Sequence, residues 1–253
     1  MVERVHGAAH ALEALLAFDA ERDSLGVSEL ARRLGCSTST AQRAINTLCE
    51  LQFLRRDDQT RRYYLGTAVL QLTKAWNRAS SLKRFAEPII IDLAATTGLV
   101  ATFAVPDHAH MRSLVACDGK EGALRGYPMG GELFPAHAGA ISKVYYAQLP
   151  EKARARFVTG RPMAKFTATT TTDPLQLEQE FRKIVKAGYC STHGEYDEAV
   201  SALAVPVLVK DDPLGAISVA TRGDLVVDST LIAQCKQASS DLQSLLSLQR
   251  RRR

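Results

Sequence analysis

Four polar residues, Ser39, Gln42, Arg43 and Asn46, recur at i, i+3, i+4 and i+7 within STSTAQRAINTL. Their side chains suit the edges of bases: arginine donates to both acceptors of guanine, and glutamine or asparagine pairs with adenine. Such a face is useful only if the rest of the helix is anchored. Ala41, Ala44, Ile45 and Leu48 repeat at the same spacing. At about 100° per residue they fall roughly opposite the polar set, as an apolar stripe that must pack on something. The other reading of the polar set is plain solvation of a small helical domain.

Two further constellations could carry chemistry. Cys190, His193 and Glu195 supply a thiol, a base and an acid. Such triads are defined by geometry rather than adjacency, however. No glycine-rich phosphate loop, nucleophile elbow or HExxH motif accompanies them. His108, His110 and His137 offer imidazoles, but the first two flank a single residue in a polar turn, where histidines are ordinarily just solvated. No enzyme, no cofactor and no metal is therefore expected.

The polar helix needs elements to position it, and the flanking sequence supplies them. Residues 27–51 read as two short helices joined by a tight turn. Ser28 is expected to cap the first, Gly35 to end it, and Ser37 or Thr38 to open the second. Residues 53–56 and 61–65 then flank the turn-forming tetrad Asp57-Asp58-Gln59-Thr60. Arginines at the strand ends make this hairpin a wing suited to phosphates. Helix, helix and basic hairpin in this order predict a winged helix–turn–helix. Ser39, Thr40, Gln42, Arg43 and Asn46 are the base-reading candidates. Ser37, Thr38, Arg55, Arg61 and Arg62 are the phosphate-positioning candidates.

VSELARRLGCSTSTAQRAINTL followed by RRYYLG resembles the DNA-binding domain of the IclR family of bacterial transcriptional regulators. The likeness continues through FPAHAGAISKVYYAQLPEKAR, FTATTTTDPLQLEQEFRKIVKAGYCSTHGEYDEAVSALAVPV and LGAISVA, and covers residues 5–248 in the family's order. It implies a winged domain over 1–66, a linker helix over 67–80 and a GAF-like effector domain over 81–253. The partners implied are double-stranded DNA with a roughly palindromic operator, a small-molecule effector, and further copies of the chain as a dimer or dimer of dimers. The family's effector positions fall on Ala123, Leu124, Ala140, Ile141, Thr192 and Ala202, with His137, Ser142 and His193 as polar neighbours. These handles suit a small organic acid, aromatic acids included. Three positions depart from the family's glycines. Gln52 follows the reading helix, so another cap is expected there, while Ser142 and Ala199 are expected to add atoms at the pocket mouth.

Composition sets the bounds. The chain has 253 residues, 46% hydrophobic and 23% charged, as in soluble globular proteins. Its net charge of +5 merely permits an anionic partner, because residues 1–80 hold 11 Lys and Arg against 9 Asp and Glu. Glu3, His6, His10 and Glu13 interrupt any signal peptide, and apolar runs such as 202–209 are too short to span a bilayer. Five scattered cysteines without a CxxC pair read as reduced thiols. A cytoplasmic protein without a membrane partner is expected.

Helical periodicity marks residues 4–19, 67–80, 82–97, 138–148, 175–187 and 229–248. Strands are expected at 100–105, 111–117, 124–127, 202–209 and 214–221. This mixture without strict alternation predicts an α+β fold: an N-terminal winged helix–turn–helix, then an antiparallel sheet with flanking helices. Two other functions fit the same residues, a metabolite sensor acting through protein partners and a hydrolase.

Overall fold

The computed structural model describes residues 6–18, 22–79, 81–119, 131–158 and 162–250. Ala123, Leu124 and the strand expected at 124–127 lie outside them. The chain divides into two units, residues 1–79 and 80–253.

The first unit runs α1 (His6–Leu16), β1 (Ser24–Leu25), α2 (Val27–Leu34), α3 (Thr38–Glu50), β2 (Leu54–Arg56), β3 (Tyr63–Leu65) and α4 (Ala68–Ala79). Ala41, Ala44, Ile45 and Leu48 are all buried, as their spacing requires. Ile45 and Leu48 join Ala14, Leu25, Leu30, Leu54 and Tyr63 in one core. The wing has a third strand that the sequence did not announce: β3 pairs with β1 on one side and β2 on the other. With only two residues, β1 is too short to show periodicity. The last helix, α4, carries Val69, Leu70 and Leu72; the side chain of Trp76 lies outside the described residues.

Ser28 does not cap α2. The cap is Gly26, whose amide donates to the Glu29 carboxylate at 2.8 Å. Ser28 already lies within the first turn, while Glu29 is the residue that reaches back to the open end. Gly35, at φ 61°, ends α2 in the left-handed conformation. Ser37 caps α3, its hydroxyl accepting from the Thr40 amide at 3.2 Å.

At the other end of α3, Gln52 takes the glycine's conformation rather than replacing it with another cap. Its φ is 62°, with Phe53 N–H donating to Leu48 O at 2.8 Å and Gln52 N–H to Cys49 O at 3.0 Å. These two bonds are the usual double closure around a left-handed residue.

The second unit runs α5 (Ser81–Thr97), β4 (Val100–Asp107), β5 (His110–Cys117), β6 (Leu133–Pro135), α6 (Ala140–Ala147), α7 (Glu151–Phe157), α8 (Pro174–Ala187), β7 (Cys190–His193), β8 (Val200–Val209), β9 (Asp212–Arg222) and α9 (Ser229–Arg250). The six strands form one antiparallel sheet in the order β6-β5-β4-β9-β8-β7. Pro88 sits within a continuous α5. Its side chain is solvent-exposed.

Both faces of the sheet are covered. Phe103, Leu203, Val205 and Ile217 pack with α5 and α9, whereas Ala104, Met111, Ala204 and Ala216 pack with α6 and α8. Double coverage explains why 202–209 is apolar without alternation. The hairpin turns are tighter than the sequence suggested. His108 is left-handed at the β4–β5 turn, and Lys210 and Asp211 at the β8–β9 turn, so the strands extend almost to the tips.

Candidate nucleic-acid interface and ligand pocket

On α3 the cap and the buried stripe fix which residues face water. Ser37, Thr38, Ser39, Arg43 and Asn46 are exposed, and Thr40 and Gln42 are half-buried. Gln42 Nε2 donates to Asn46 Oδ1 at 2.7 Å and to the Tyr63 hydroxyl at 3.3 Å. Arg43 reaches the Thr40 hydroxyl at 3.4 Å. The five base-reading candidates thus share one side of a rigid helix.

The wing arginines divide. Arg55 and Arg61 are exposed, and Arg55 lies 4.5 Å over the Tyr64 ring. Arg62 is held within the unit: its guanidinium donates to Ser24 Oγ at 3.0 Å, Ser24 O at 2.9 Å and Glu29 Oε2 at 3.0 Å. The Gly26 amide and Arg62 together hold the Glu29 carboxyl below its usual pKa. The reason is β1, which sets Ser24 beside β3 and gives Arg62 acceptors that the sequence did not reveal.

In the second unit a pocket opens between the sheet and the start of α6. Thr102, Ser218, Ala202 and Thr192 line it from the sheet, and Phe134, Ile141, Glu195, Tyr196 and Asp197 complete the lining. A β-bulge helps to shape it. The β4–β5 register shifts between Phe103 and Ala104, so Ser113 and Ala116, three residues apart, both face the pocket.

The candidate effector residues separate in the same way. Ala140, Ile141, Thr192 and Ala202 line the pocket. His193 does not: one residue beyond Thr192, it bonds Ser201 Oγ at 2.8 Å on the other face of the sheet. His137 stacks on Phe166 and its Nε2 meets Ala164 O at 2.8 Å. Ser142 is fully buried and donates to Phe134 O at 3.2 Å. Neither Ser142 nor the exposed Ala199 is among the described residues that line the pocket.

Glu195 is the wall residue with the most connections. Its Oε2 accepts from the Gly139 amide at 3.1 Å, while Thr192 Oγ1 accepts from the Ala140 amide at 3.1 Å. Its Oε1 pairs with Lys143 Nζ at 2.6 Å, and the same ammonium pairs with Glu180 Oε2 at 2.6 Å. Burial pulls the Lys143 pKa down, but the two carboxylates outweigh it and the net shift is upward. Thr170 and Thr169 then donate to the carbonyls of Glu195 and Gly194, at 2.7 and 2.8 Å, so the threonine-rich loop holds the segment that carries Glu195. Lys143 and Glu180 carried no sequence signal as a pair, being 37 residues apart.

The thiol–histidine–acid set is not assembled. Cys190 is buried, and burial pushes its thiol up to about 12, while His193 faces the other way. One titratable group near the pocket stands out instead. Glu132 Oε2 is buried without a hydrogen-bond partner among the described residues, and burial pushes its carboxyl up to about 7. A raised acid pKa favours the folded state below about 4.5, its unfolded value, and that benefit disappears as pH rises through about 7. Glu132→Gln is therefore expected to raise the melting temperature at pH 8 and leave it unchanged at pH 4, as read by calorimetry.

Comparison with known proteins places these features. Residues 7–58 match the IclR helix-turn-helix domain, and residues 77–243 match the bacterial transcriptional regulator IclR C-terminal domain. The p-hydroxybenzoate hydroxylase transcriptional activator of Acinetobacter baylyi is 28% identical over 211 residues, covering 81% of this chain and 76% of that protein. The IclR transcriptional regulator of Alicyclobacillus acidocaldarius shares the fold at TM-score 0.84 and 22% identity, over 96% of this chain and 99% of that one. An IclR homologue of Microbacterium hydrocarbonoxydans, solved with 4-hydroxybenzoate, superposes at TM-score 0.81 and 20% identity, over 94% of this chain and 98% of that one. Among the described residues no helix is long and apolar enough to cross a membrane. With both of its units matched in order, the chain belongs to the IclR family of bacterial transcriptional regulators.

Proposed function

We propose that α3 enters the major groove of an operator half-site, with Ser39, Thr40, Gln42, Arg43 and Asn46 toward the bases. The observation that carries this reading is the division of α3 itself. One face is wholly buried by Ala41, Ala44, Ile45 and Leu48, and the other is polar and open. Ser37 and Thr38 at the helix start, with Arg55 and Arg61 on the wing, hold phosphates. Arg62 is left out of that set because its guanidinium already has three acceptors inside the unit.

Two variants separate the roles. Arg43→Ala should cost about 1–3 kcal/mol and relax specificity at one base pair. Arg61→Ala should weaken every sequence alike and reduce the salt-dependence slope by about one. Mobility shifts on matched and mismatched operators across a salt series distinguish them, and identical behaviour of both variants refutes the assignment.

The chain acts as a dimer, or a dimer of dimers, on a roughly palindromic site. Supporting this, α1 leaves Leu12 and Leu16 63% and 82% exposed, and α4 leaves Leu70 and Leu72 in water. Sedimentation of the free protein tests it.

The pocket holds the effector, a small organic or aromatic acid. Val100, Ala116, Ala202 and Ala220 supply apolar walls, and the hydroxyls of Thr102, Thr192 and Ser218 supply polar contacts. The 4-hydroxybenzoate in the Microbacterium homologue supports this ligand class. No lysine, arginine or histidine is among the described lining residues, and the Glu195 carboxylate that lines the pocket is already bonded to the amide of Gly139, the residue before α6. Differential scanning fluorimetry with aromatic and central-metabolic acids is the test: no stabilisation at millimolar concentration overturns the ligand class and leaves the DNA-binding reading intact. An effector shifts operator affinity only by binding one arrangement of the reading helices more tightly than another.

A further inference from the structure

We infer that Gln42 and Asn46 read DNA as a single unit, held in place by Tyr63, and that the base they select is adenine. This rests on α3 facing the bases, as proposed above. Gln42 Nε2 carries two protons, and both are committed, one to Asn46 Oδ1 at 2.7 Å and one to the Tyr63 hydroxyl at 3.3 Å. Gln42 therefore cannot form the two-bond pairing with adenine by itself, because that pairing needs its amide nitrogen as a donor. What the pair leaves unbonded is one acceptor, Gln42 Oε1, and one donor, Asn46 Nδ2. Exchanging nitrogen and oxygen in both amides leaves the same complement, one acceptor and one donor. Adenine presents the matching edge in the major groove, the N6 amino group as donor and N7 as acceptor.

Tyr63 is a positioning residue in this arrangement. It is buried in the core of the first unit, where β3 is held between β1 and β2, so its hydroxyl is fixed by the fold rather than by the DNA. An unbraced glutamine keeps its side-chain rotamers in the free protein and must lose them on binding. The brace removes part of that loss beforehand, and favours the base that fits the preset amide.

The experiment is selection from random duplexes to obtain a preferred site, followed by competition binding with each base at each position. The full-length protein should prefer adenine at one half-site position by ~5- to 100-fold over the other bases. Tyr63→Phe keeps the ring and removes the hydroxyl. It should reduce that preference severalfold, with affinity for unrelated DNA and the salt slope unchanged. Gln42→Ala and Asn46→Ala should lose the preference at the same position, and the double variant should be no worse than either alone. Asn46→Asp still accepts from Gln42 but offers no donor, so the preference should move from adenine to cytosine, whose N4 amino group donates.

Full preference retained in Tyr63→Phe, or additive losses at separate positions for Gln42→Ala and Asn46→Ala, overturns the inference and leaves the reading of α3 standing. Full-length protein with no preferred sequence at all overturns both.

Discussion

Lys143→Met is expected to cost the second unit about 3–5 kcal/mol at pH 8, because it leaves two half-buried carboxylates together without their cation. Lys143 is 1% exposed, and its ammonium is 2.6 Å from both Glu180 and Glu195. Methionine matches the length of the side chain, so little cavity accompanies the loss of charge. The deficit should be largely recovered by adding Glu180→Gln and Glu195→Gln. Denaturant unfolding monitored by hydrogen exchange in α6, β7 and α8 measures it, and a loss that the two glutamines do not recover would show that packing rather than charge is responsible. The upward pKa shift of Lys143 means its contribution is complete below 10.5, the unfolded value, and is lost only as pH rises beyond that. Glu195 lines the pocket, so the same variant should alter ligand binding while leaving the first unit's amide protection intact.

Gly66→Ala should be the comparable lesion in the first unit, destabilising it by roughly 3 kcal/mol. A Cβ on Gly66 would lie 2.2 Å from Gln52 O and 2.8 Å from Gln52 C, both backbone atoms that cannot swing aside. Two hydrogen bonds join these segments, Gly66 N–H to Phe53 O at 2.7 Å and Ala68 N–H to Gln52 O at 3.0 Å, and the end of β3 is held to the end of α3 through them. Gly35→Ala is the control. Its φ is 61° but no atom lies within 4 Å of the added Cβ, so it should cost only about 1 kcal/mol, from backbone conformation alone. Thermal unfolding and hydrogen exchange over residues 24–66 separate the two. Equal losses would mean that the close approach at Gly66 is absorbed by a small backbone shift.

The helix–turn–helix was legible in the sequence because its determinants are local. Apolar spacing set the buried face of α3, Ser37 its start and Gly35 the end of α2, and each acts within one turn of helix. The wing was legible for the same reason, from a polar tetrad between two short segments with arginines at the turn ends. In the second unit the order and kind of most elements followed from periodicity, and the family resemblance supplied the antiparallel sheet. The two-residue β1 carried too little pattern to be seen, and with it went the reason that Arg62 turns inward.

What only the tertiary structure decided is which side chains meet. Thr192 and His193 are adjacent polar residues on β7, and nothing in composition says which one faces the pocket. The pairing of β7 with β8 settles it, placing Thr192 opposite Ala202 and His193 opposite Ser201. The bulge beside Phe103 sends Ser113 and Ala116 to one face where strict alternation would part them. Lys143, Glu180 and Glu195 join across long stretches of chain, and Tyr63 reaches Gln42 from 21 residues away. Helix caps and stripes depend on neighbours in the chain, which a sequence states outright. Strand register, bulges and buried ion pairs depend on neighbours in space, and those exist only once the chain has folded.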